Sequence, residues 1–491
     1  MTSLKKLLSS AQLDLKTFSE LPDISIKGLE CDSRKVEKDF LFVAIRGAKQ
    51  DGTQFIDEAI RRGAAAIVAD EAAASSFSDA KQIPFLVVPE CRDALAVLAN
   101  AYYGHPAQSL KIIGITGTNG KTTCSYLLEH LLQAEKKKVG VIGTVNYRYG
   151  AREIPAVETT PGPLKVQKIL SEMLDERCEY AAMEVSSHAL DQKRVAGFEF
   201  ETALFTNLTQ DHLDYHKTLE AYFECKAALF LGLSGDKTSV LNADDARVAS
   251  LAGRVRSKVL TYGVHVQADL RATELLLSQD GSRFNLSWKG RVIPVRSALA
   301  GLHNVYNILG ALGVVHALGF SVERACGNLA SFEGVPGRLE AVRAGQDFSV
   351  FVDFAHTPDG LENVLRSLRS FKKGKLIVVF GCGGDRDRTK RPKMGRIASE
   401  LADIVYITSD NPRSEDPRSI ADEVRAGIVP GFKDAVTVVD RKKAIRQALL
   451  AARSGDIVLL AGKGHERSQI IRDQALPFSD REEAERVLNG R

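Results

Sequence analysis

Short apolar runs recur along this chain, and the stretches between them carry apolar residues at helical spacing. Such alternation predicts parallel strands buried on both faces by the helices that connect them. Three stretches show it. In the first, apolar runs at 40–45, 65–69 and 84–88 accompany a helical pattern near 55–62, and GHPAQSLK from Gly104 reads as a linker. In the second, runs at Lys111–Thr116, 138–142, Tyr180–Glu184, 202–206 and Thr238–Asn242 lead into a strand-rich part, 259–294. GLHNVYNILGALGVVHALG, from Gly301, repeats apolar residues with the period of a helix. The third stretch opens near GVPGRLE, at Gly334, with runs at 349–354, Leu376–Phe380, 404–408 and 457–460. Domain boundaries are therefore expected at 1–107, 108–333 and 334–491.

Length and charge narrow the function classes. A chain of 491 residues exceeds one ordinary core and suits about three domains. Its net charge of +4 is small for that size and gives no reason to expect a nucleic-acid partner. No apolar run is long enough for membrane insertion, and MTSLKKLLSSAQLDL lacks the apolar core of a secretory signal. The seven cysteines, Cys31, Cys91, Cys124, Cys178, Cys225, Cys326 and Cys382, form no CxxC pair. They read as small buried hydrophobes in a reduced, cytoplasmic protein.

The most informative segment is GITGTNGKTT, Gly114 to Thr123, after a strand and before a helix. Glycines let backbone N–H groups approach phosphate oxygens, and the helix N-terminus adds positive charge. Lys121 suits the β- and γ-phosphates of ATP, and the Thr122 hydroxyl suits Mg²⁺. The spacing is shorter than GxxxxGK[ST], because Ile115 stands where the first glycine belongs. Glu184 ends an apolar strand and His212 follows another, in TNLTQDHLDYH, so both are expected at the sheet edge beside the phosphates. Lys226, on a helical stretch, reads by spacing alone as a solvated surface lysine. The fold expected is α/β with three domains: a central P-loop-type, mostly parallel sheet and a C-terminal Rossmann-like domain.

GTNGKTT resembles the ATP loop of the Mur ligase family, which includes the folylpolyglutamate synthases. The resemblance extends over nearly the whole chain, with motifs in order in all three segments. It implies that Gly117, Thr118, Asn119, Gly120, Lys121, Thr122 and Thr123 hold ATP, helped by Asn304 of GLHNVYN, where Asn307 also lies, and by Arg338 of GVPGRLE. It makes Lys226 a carbamylated lysine, its CO₂-derived carbamate ligating one of two Mg²⁺ ions with His212, while Thr122 and Glu184 serve the other. Lys121, Lys226 and His212 become the catalytic set. Asp353 and His356 of FVDFAHTPD are expected near the nucleotide, or as a capped strand end. The implied reaction passes the γ-phosphoryl group to a carboxylate, and an amine then displaces phosphate from the acyl phosphate.

Two further constellations speak to substrate. ECDSRKVEKDFLFVAIRG, from Glu30, resembles a uridine-nucleotide-binding domain, with Ser33 at the uridine diphosphate and Ala48, Lys49 and Gln50 in the next turn. ETTPGP and EVSSHALDQKR resemble muramoyl-peptide contacts, giving Thr159, Thr160, Ser186, Gln192 and Arg194, with Glu158 left open. SDNPRSEDP reads by pattern as an Asn-Pro turn. By resemblance, Asp410, Asn411, Pro412 and Arg413 are the recognition motif of the members that add meso-diaminopimelate. The far carboxylate of that amino acid, absent from lysine, matches a guanidinium fork. Arg386, Gly462 and Glu466 complete the implied pocket, whereas Arg388, Lys390 and Arg391 read as solubilising basic residues. The partners implied are small molecules: ATP, UDP-N-acetylmuramoyl-L-alanyl-D-glutamate and meso-diaminopimelate, acted on by a monomer. A lysine-adding ligase of the same step and a non-catalytic ATP-binding protein are the alternatives.

Overall fold

The structure, a computed structural model, describes residues 2–13, 21–47, 51–76 and 83–490. Ala48, Lys49 and Gln50, named above for the uridine-nucleotide turn, lie outside the described residues. The chain folds as two compact units, each built from separated stretches. One comprises Met1–Thr116, Glu135–Ala203 and Cys225–Lys237; the other comprises Gly117–Ala134, Leu204–Glu224 and Thr238–Arg491.

The first unit holds a parallel sheet of Gly28–Glu30, Phe40–Val43, Ala64–Ala69 and Phe85–Val87, paired in chain order. Strand residues alternate between faces, so both faces need cover. Leu41 and Val43 pack with Leu95 and Leu98 of the helix Cys91–Tyr102, and Phe42 packs with Ile56 and Ala59 of the helix Ile56–Arg61 on the other side. The helix expected near 55–62 is preceded by a tight turn, Gly52–Phe55, because Asp51 caps Thr53 N–H one turn early. The same unit carries Lys111–Thr116, Tyr180–Glu184 and Val139–Ile142 in parallel, with Tyr180–Glu184 central. Its register sets Glu184 beside Ile115, at the carboxyl ends of both strands. An antiparallel hairpin, Asn146–Tyr149 with Arg152–Pro155, extends this sheet.

In the second unit Thr238–Asn242 and Lys258–Gly263 pair in parallel, and Leu270–Ser278, Gly281–Trp288 and Arg291–Ser297 form an antiparallel meander. The helix Leu302–Ala317 buries Val305, Ile308, Leu309, Leu312 and Val315. A further sheet runs in the order Glu340–Ala341, Ser349–Asp353, Ile457–Ala461, Leu376–Phe380, Ile404–Ile407 and Ala435–Thr437. All its pairings are parallel except the first. Ile457–Ala461, late in the chain, lies between two early strands, so the order reverses there. Ligands in open α/β sheets bind outside the carboxyl ends of the strands at such a reversal. The loops carrying Arg386, Asp410–Arg413 and Gly462–Glu466 all leave those ends. Among the described residues, no helix is long and apolar enough to cross a membrane.

Candidate active site

In the second unit the phosphate turn is a rigid loop. Gly117 has φ +138° and Gly120 φ +90°, values that L side chains rarely adopt. A Cβ on Gly117 would meet Thr206 Oγ1 at 1.9 Å, and one on Gly120 would meet Asn307 Oδ1 at 2.2 Å. TNLT, 206–209, clasps the loop. Thr206 Oγ1 donates to Asn119 O at 2.6 Å, Asn119 N–H to Asn207 Oδ1 at 3.0 Å, and Thr209 N–H to Thr118 Oγ1 at 2.9 Å. Lys121 Nζ donates to the carbonyls of Gly117 and Thr118 at 2.9 and 2.8 Å, so its ammonium stands over the loop. Thr122 and Thr123 are buried at the start of the helix Lys121–Ala134. An Arg338 guanidinium N–H donates to Thr122 Oγ1 at 3.2 Å, and the same group lies 4.8 Å from the Phe354 ring. Asn304 Nδ2 donates to Ala300 O at 2.8 Å, and Asn304 Oδ1 accepts from Asn307 Nδ2 at 3.0 Å. Asn307 is therefore the one of the two that packs under Gly120.

In the first unit one cluster surrounds Glu184, which is 1% exposed. Its two oxygens accept from Thr144 N–H at 3.0 Å and Thr144 Oγ1 at 2.8 Å. Gly143 admits the carboxylate, since a Cβ there would come within 2.4 Å of Glu184 Oε1. Thr159 Oγ1 bonds Thr144 Oγ1 at 3.1 Å. Thr160 Oγ1 donates to Glu184 O at 2.8 Å and accepts Ser186 N–H at 3.0 Å. Arg194 donates to Thr160 O at 2.6 Å and to Gln192 Oε1, and pairs with Glu158 at 3.0 Å. Lys226, on the helix Leu219–Leu231, is 1% exposed, with Nζ 3.4 Å from Thr116 Oγ1. Burial therefore replaces the solvated surface position read from spacing. Ser33 is buried and donates to Glu58 Oε2 at 2.9 Å, which holds that carboxyl below the usual carboxylate range.

The third-segment loops gather charge of both signs. Arg413 is half-buried with φ +52° and donates to Gly384 O at 2.8 Å. Burial and the neighbouring Arg386 charge both push its guanidinium pKa down. Asp410 Oδ1 accepts Asn411 N–H at 2.6 Å, while Asp410 Oδ2 is buried without a hydrogen-bond partner among the described residues. Gly462, φ +113°, leaves room there, because a Cβ would lie 2.6 Å from Asp410 Oδ2. Glu466 Oε2 accepts from Asn411 Nδ2 at 2.9 Å. The arrangement presents guanidinium forks for a carboxylate and carboxylate oxygens for an ammonium.

Three family profiles match in sequence: Mur ligase family, catalytic domain, at 25–103; Mur ligase middle domain, at 115–315; and Mur ligase, glutamate ligase domain, at 337–464. A protein of Geobacillus thermodenitrificans named UDP-N-acetylmuramoyl-L-alanyl-D-glutamate--2,6-diaminopimelate ligase is 45% identical over 476 residues, 96% of each chain. This chain belongs to the Mur ligase family. A Gloeobacter violaceus Mur ligase of the same name is 46% identical over 489 residues, 99% of this chain and 98% of its own. A solved Mur ligase structure, also of a UDP-N-acetylmuramoyl-L-alanyl-D-glutamate--2,6-diaminopimelate ligase, matches with TM-score 0.71 at 33% identity over 99% of both chains.

His212 follows the strand Phe200–Phe205 through the TNLT segment; it is exposed at φ +53°, its ring 3.4 Å from the Asp211 carboxylate and 6.2 Å from the ring of Tyr222, whose hydroxyl donates to Thr118 Oγ1 at 3.4 Å. Asp353 fits the capped strand end, one of its two expected readings, accepting Leu339 N–H at 2.6 Å and Ala355 N–H at 2.8 Å. Several expectations for this Mur ligase need correction. Arg391 is buried rather than solubilising. It donates twice to Glu415 and once to Glu423, and it holds the Glu415 carboxyl down to about 2. Lys390 donates to His356 O at 3.0 Å, and Arg388 pairs with Glu423. Cys31 is exposed and Cys225 only half-buried, unlike the other five cysteines.

Sequence reading missed three contributors. The TNLT clasp lay in a segment read only for His212. Asp359, at the start of the helix Pro358–Arg369, accepts from Asn119 Nδ2 at 2.6 Å and Thr209 Oγ1 at 2.9 Å. The hairpin Ser468–Ile471 with Gln474–Pro477 accepts Arg413 N–H at Ile470 O, 3.1 Å, and donates from Gln469 Nε2 to Asp410 O at 2.6 Å. The available signal was SQIIRDQALP, two short β-prone runs about a polar turn.

Proposed function

We propose that this chain is the ATP-dependent ligase that joins meso-diaminopimelate to the D-glutamate γ-carboxylate of UDP-N-acetylmuramoyl-L-alanyl-D-glutamate, a step of peptidoglycan synthesis. The observation that carries the choice of amino acid is the loop cluster of the second unit. Arg413 has a like-charged neighbour, Arg386, that disfavours its own charge, and an incoming carboxylate relieves that repulsion. Asp410 Oδ2, buried and unpartnered among the described residues, gains a donor from an incoming ammonium. One molecule bearing both groups at its far end, as diaminopimelate does and lysine does not, satisfies both. The names of the relatives support the same reading.

In the reaction the γ-phosphoryl group of ATP passes to the substrate carboxylate, breaking its bond to ADP. The amine nitrogen of diaminopimelate attacks the acyl carbon; phosphate leaves with the C–O electrons, and the nitrogen loses its proton. Lys121, the loop N–H groups and Arg338 hold the triphosphate, and Thr159, Ser186, Gln192 and Arg194 face the muramoyl-peptide. Hard oxygen donors suited to Mg²⁺ stand in each unit, the Glu184 carboxylate in one and the Thr122 hydroxyl in the other. Bound Mg²⁺ offsets the repulsion between carboxylate and polyphosphate. In this reading Lys226, 1% exposed with Nζ 3.4 Å from Thr116 Oγ1, is the lysine that carries the carbamate. The division into uridine-nucleotide, ATP and amino-acid domains at 1–107, 108–333 and 334–491 belongs to the same proposal, and the three profile matches fall inside those bounds.

An amino-acid panel tests the reading, with ADP release measured for wild type and Arg413→Lys. Wild type should strongly prefer meso-diaminopimelate to L-lysine, and Arg413→Lys should lose about 100-fold or more in kcat/KM for it, because an ammonium cannot replace the two-pronged fork. Preference for L-lysine in wild type, or unchanged kinetics in the variant, would sink the assignment.

A further inference from the structure

The turn after Ile457–Ala461 hides a lysine. Lys463 follows Gly462, and its side chain is 0% exposed. Its ammonium donates to Glu466 Oε2 at 2.7 Å and to Asn411 Oδ1 at 3.0 Å. Asn411 Nδ2 closes the triangle on the same Glu466 Oε2 at 2.9 Å, and Ile470 N–H donates to Asn411 Oδ1 at 2.9 Å. A desolvated ammonium persists in a fold only where it is paired and hydrogen-bonded. Both compensating side chains here belong to the amino-acid site proposed above, on which this inference rests. Glu466 Oε2 has two donors, while Glu466 Oε1 accepts no hydrogen bond from the described residues and the side chain is 33% exposed.

We infer that Lys463 is a positioning and selectivity residue for the diamino acid. It locks one oxygen of Glu466 and the carbonyl oxygen of the Asn411 amide, which leaves the other Glu466 oxygen to the substrate's far ammonium. It also cancels one of the two carboxylate charges supplied by Asp410 and Glu466. With Arg386 and Arg413, Lys463 then balances the three nearby carboxylates Asp385, Asp410 and Glu466. A bare ammonium, such as lysine's, is disfavoured there, whereas an ammonium accompanied by a carboxylate is not. Without Lys463 the cluster becomes net negative and attracts a bare ammonium, Glu466 loses its fixed rotamer, and the discrimination falls.

The test compares wild type, Lys463→Met, Lys463→Gln, Glu466→Gln and the double variant Lys463→Met with Glu466→Gln. Full-length protein is assayed with ATP, the UDP-muramoyl-dipeptide and either meso-diaminopimelate or L-lysine, alongside thermal unfolding. Lys463→Met should raise KM for diaminopimelate about ten-fold while KM for ATP stays within about two-fold. The kcat/KM ratio of diaminopimelate to lysine should fall about ten-fold. The double variant should be no worse than Glu466→Gln by more than about two-fold, because the lysine acts through that carboxylate. An unchanged ratio, additive losses, or unfolding of both lysine variants while Glu466→Gln folds overturns the inference and leaves the amino-acid site intact. Indifference of diaminopimelate kinetics to Glu466→Gln overturns the site reading, and the inference with it.

Discussion

At the scale of single residues, space and burial decide what a side chain can do. Gly120 combines a left-handed backbone with an asparagine 2.2 Å from any added Cβ. Gly120→Ala should therefore weaken binding of an ATP analogue about ten-fold or more while the protein stays folded, as calorimetric titration would read. Wild-type affinity in that variant would remove the loop from nucleotide binding. Lys226 shows the limit of pattern. A lysine on a helical stretch is ordinarily solvated, but this one is 1% exposed. Protein equilibrated with ¹³C-bicarbonate should show a carbamate carbon resonance that Lys226→Met lacks. Its absence from wild type under turnover conditions would dismiss the modified lysine. Arg391 carries the same lesson, since its burial against Glu415 and Glu423 depends on a fold that no local window contains.

At the scale of elements, long apolar strands were legible. Lys111–Thr116, Tyr180–Glu184, Thr238–Asn242 and Leu376–Phe380 end at the residues expected from their apolar runs. Buried parallel strands are continuous hydrophobic runs with sharp polar ends, so their bounds are written locally. The hairpins at Asn146–Tyr149 and Ser468–Ile471 were not legible, because their residues are mixed in character and owe their pairing to neighbours. Element ends also have to be held together. Arg441, at the start of Arg441–Ala451, forms a two-pronged pair with Asp480 at 2.7 and 2.6 Å. It also donates to Ser409 O at 3.3 Å and Ala461 O at 2.9 Å, which ties together the roots of two recognition loops. Both partners are 0% exposed. Asp480→Ala leaves the guanidinium buried and unpaired, and should cost about 3–5 kcal/mol in denaturant unfolding. A loss within about 0.5 kcal/mol would place the pair at the surface instead.

At the scale of the whole molecule, stability should depend on pH through half-buried histidines. Burial lowers His303 and His465 from the usual 6.5 to about 4. Between these values the unfolded chain binds protons that the folded chain does not, so stability is complete above about 6.5 and falls as pH drops toward 4. Each histidine adds at most about 1.4 kcal/mol per pH unit to that slope. His303→Gln and His465→Gln should each flatten the curve in that window, and curves parallel to wild type would contradict the burial argument. The sequence by itself determined the α/β class, the order of the motifs and the residue types of the phosphate turn, because strand burial and backbone approach to phosphate are written in adjacent residues. Tertiary structure alone decided that Lys226 and Arg391 are buried, that Asn307 rather than Asn304 backs Gly120, and that Lys463 sits behind Glu466. Each of these depends on groups far apart in the chain, and burial and charge pairing are properties of what surrounds a residue in space.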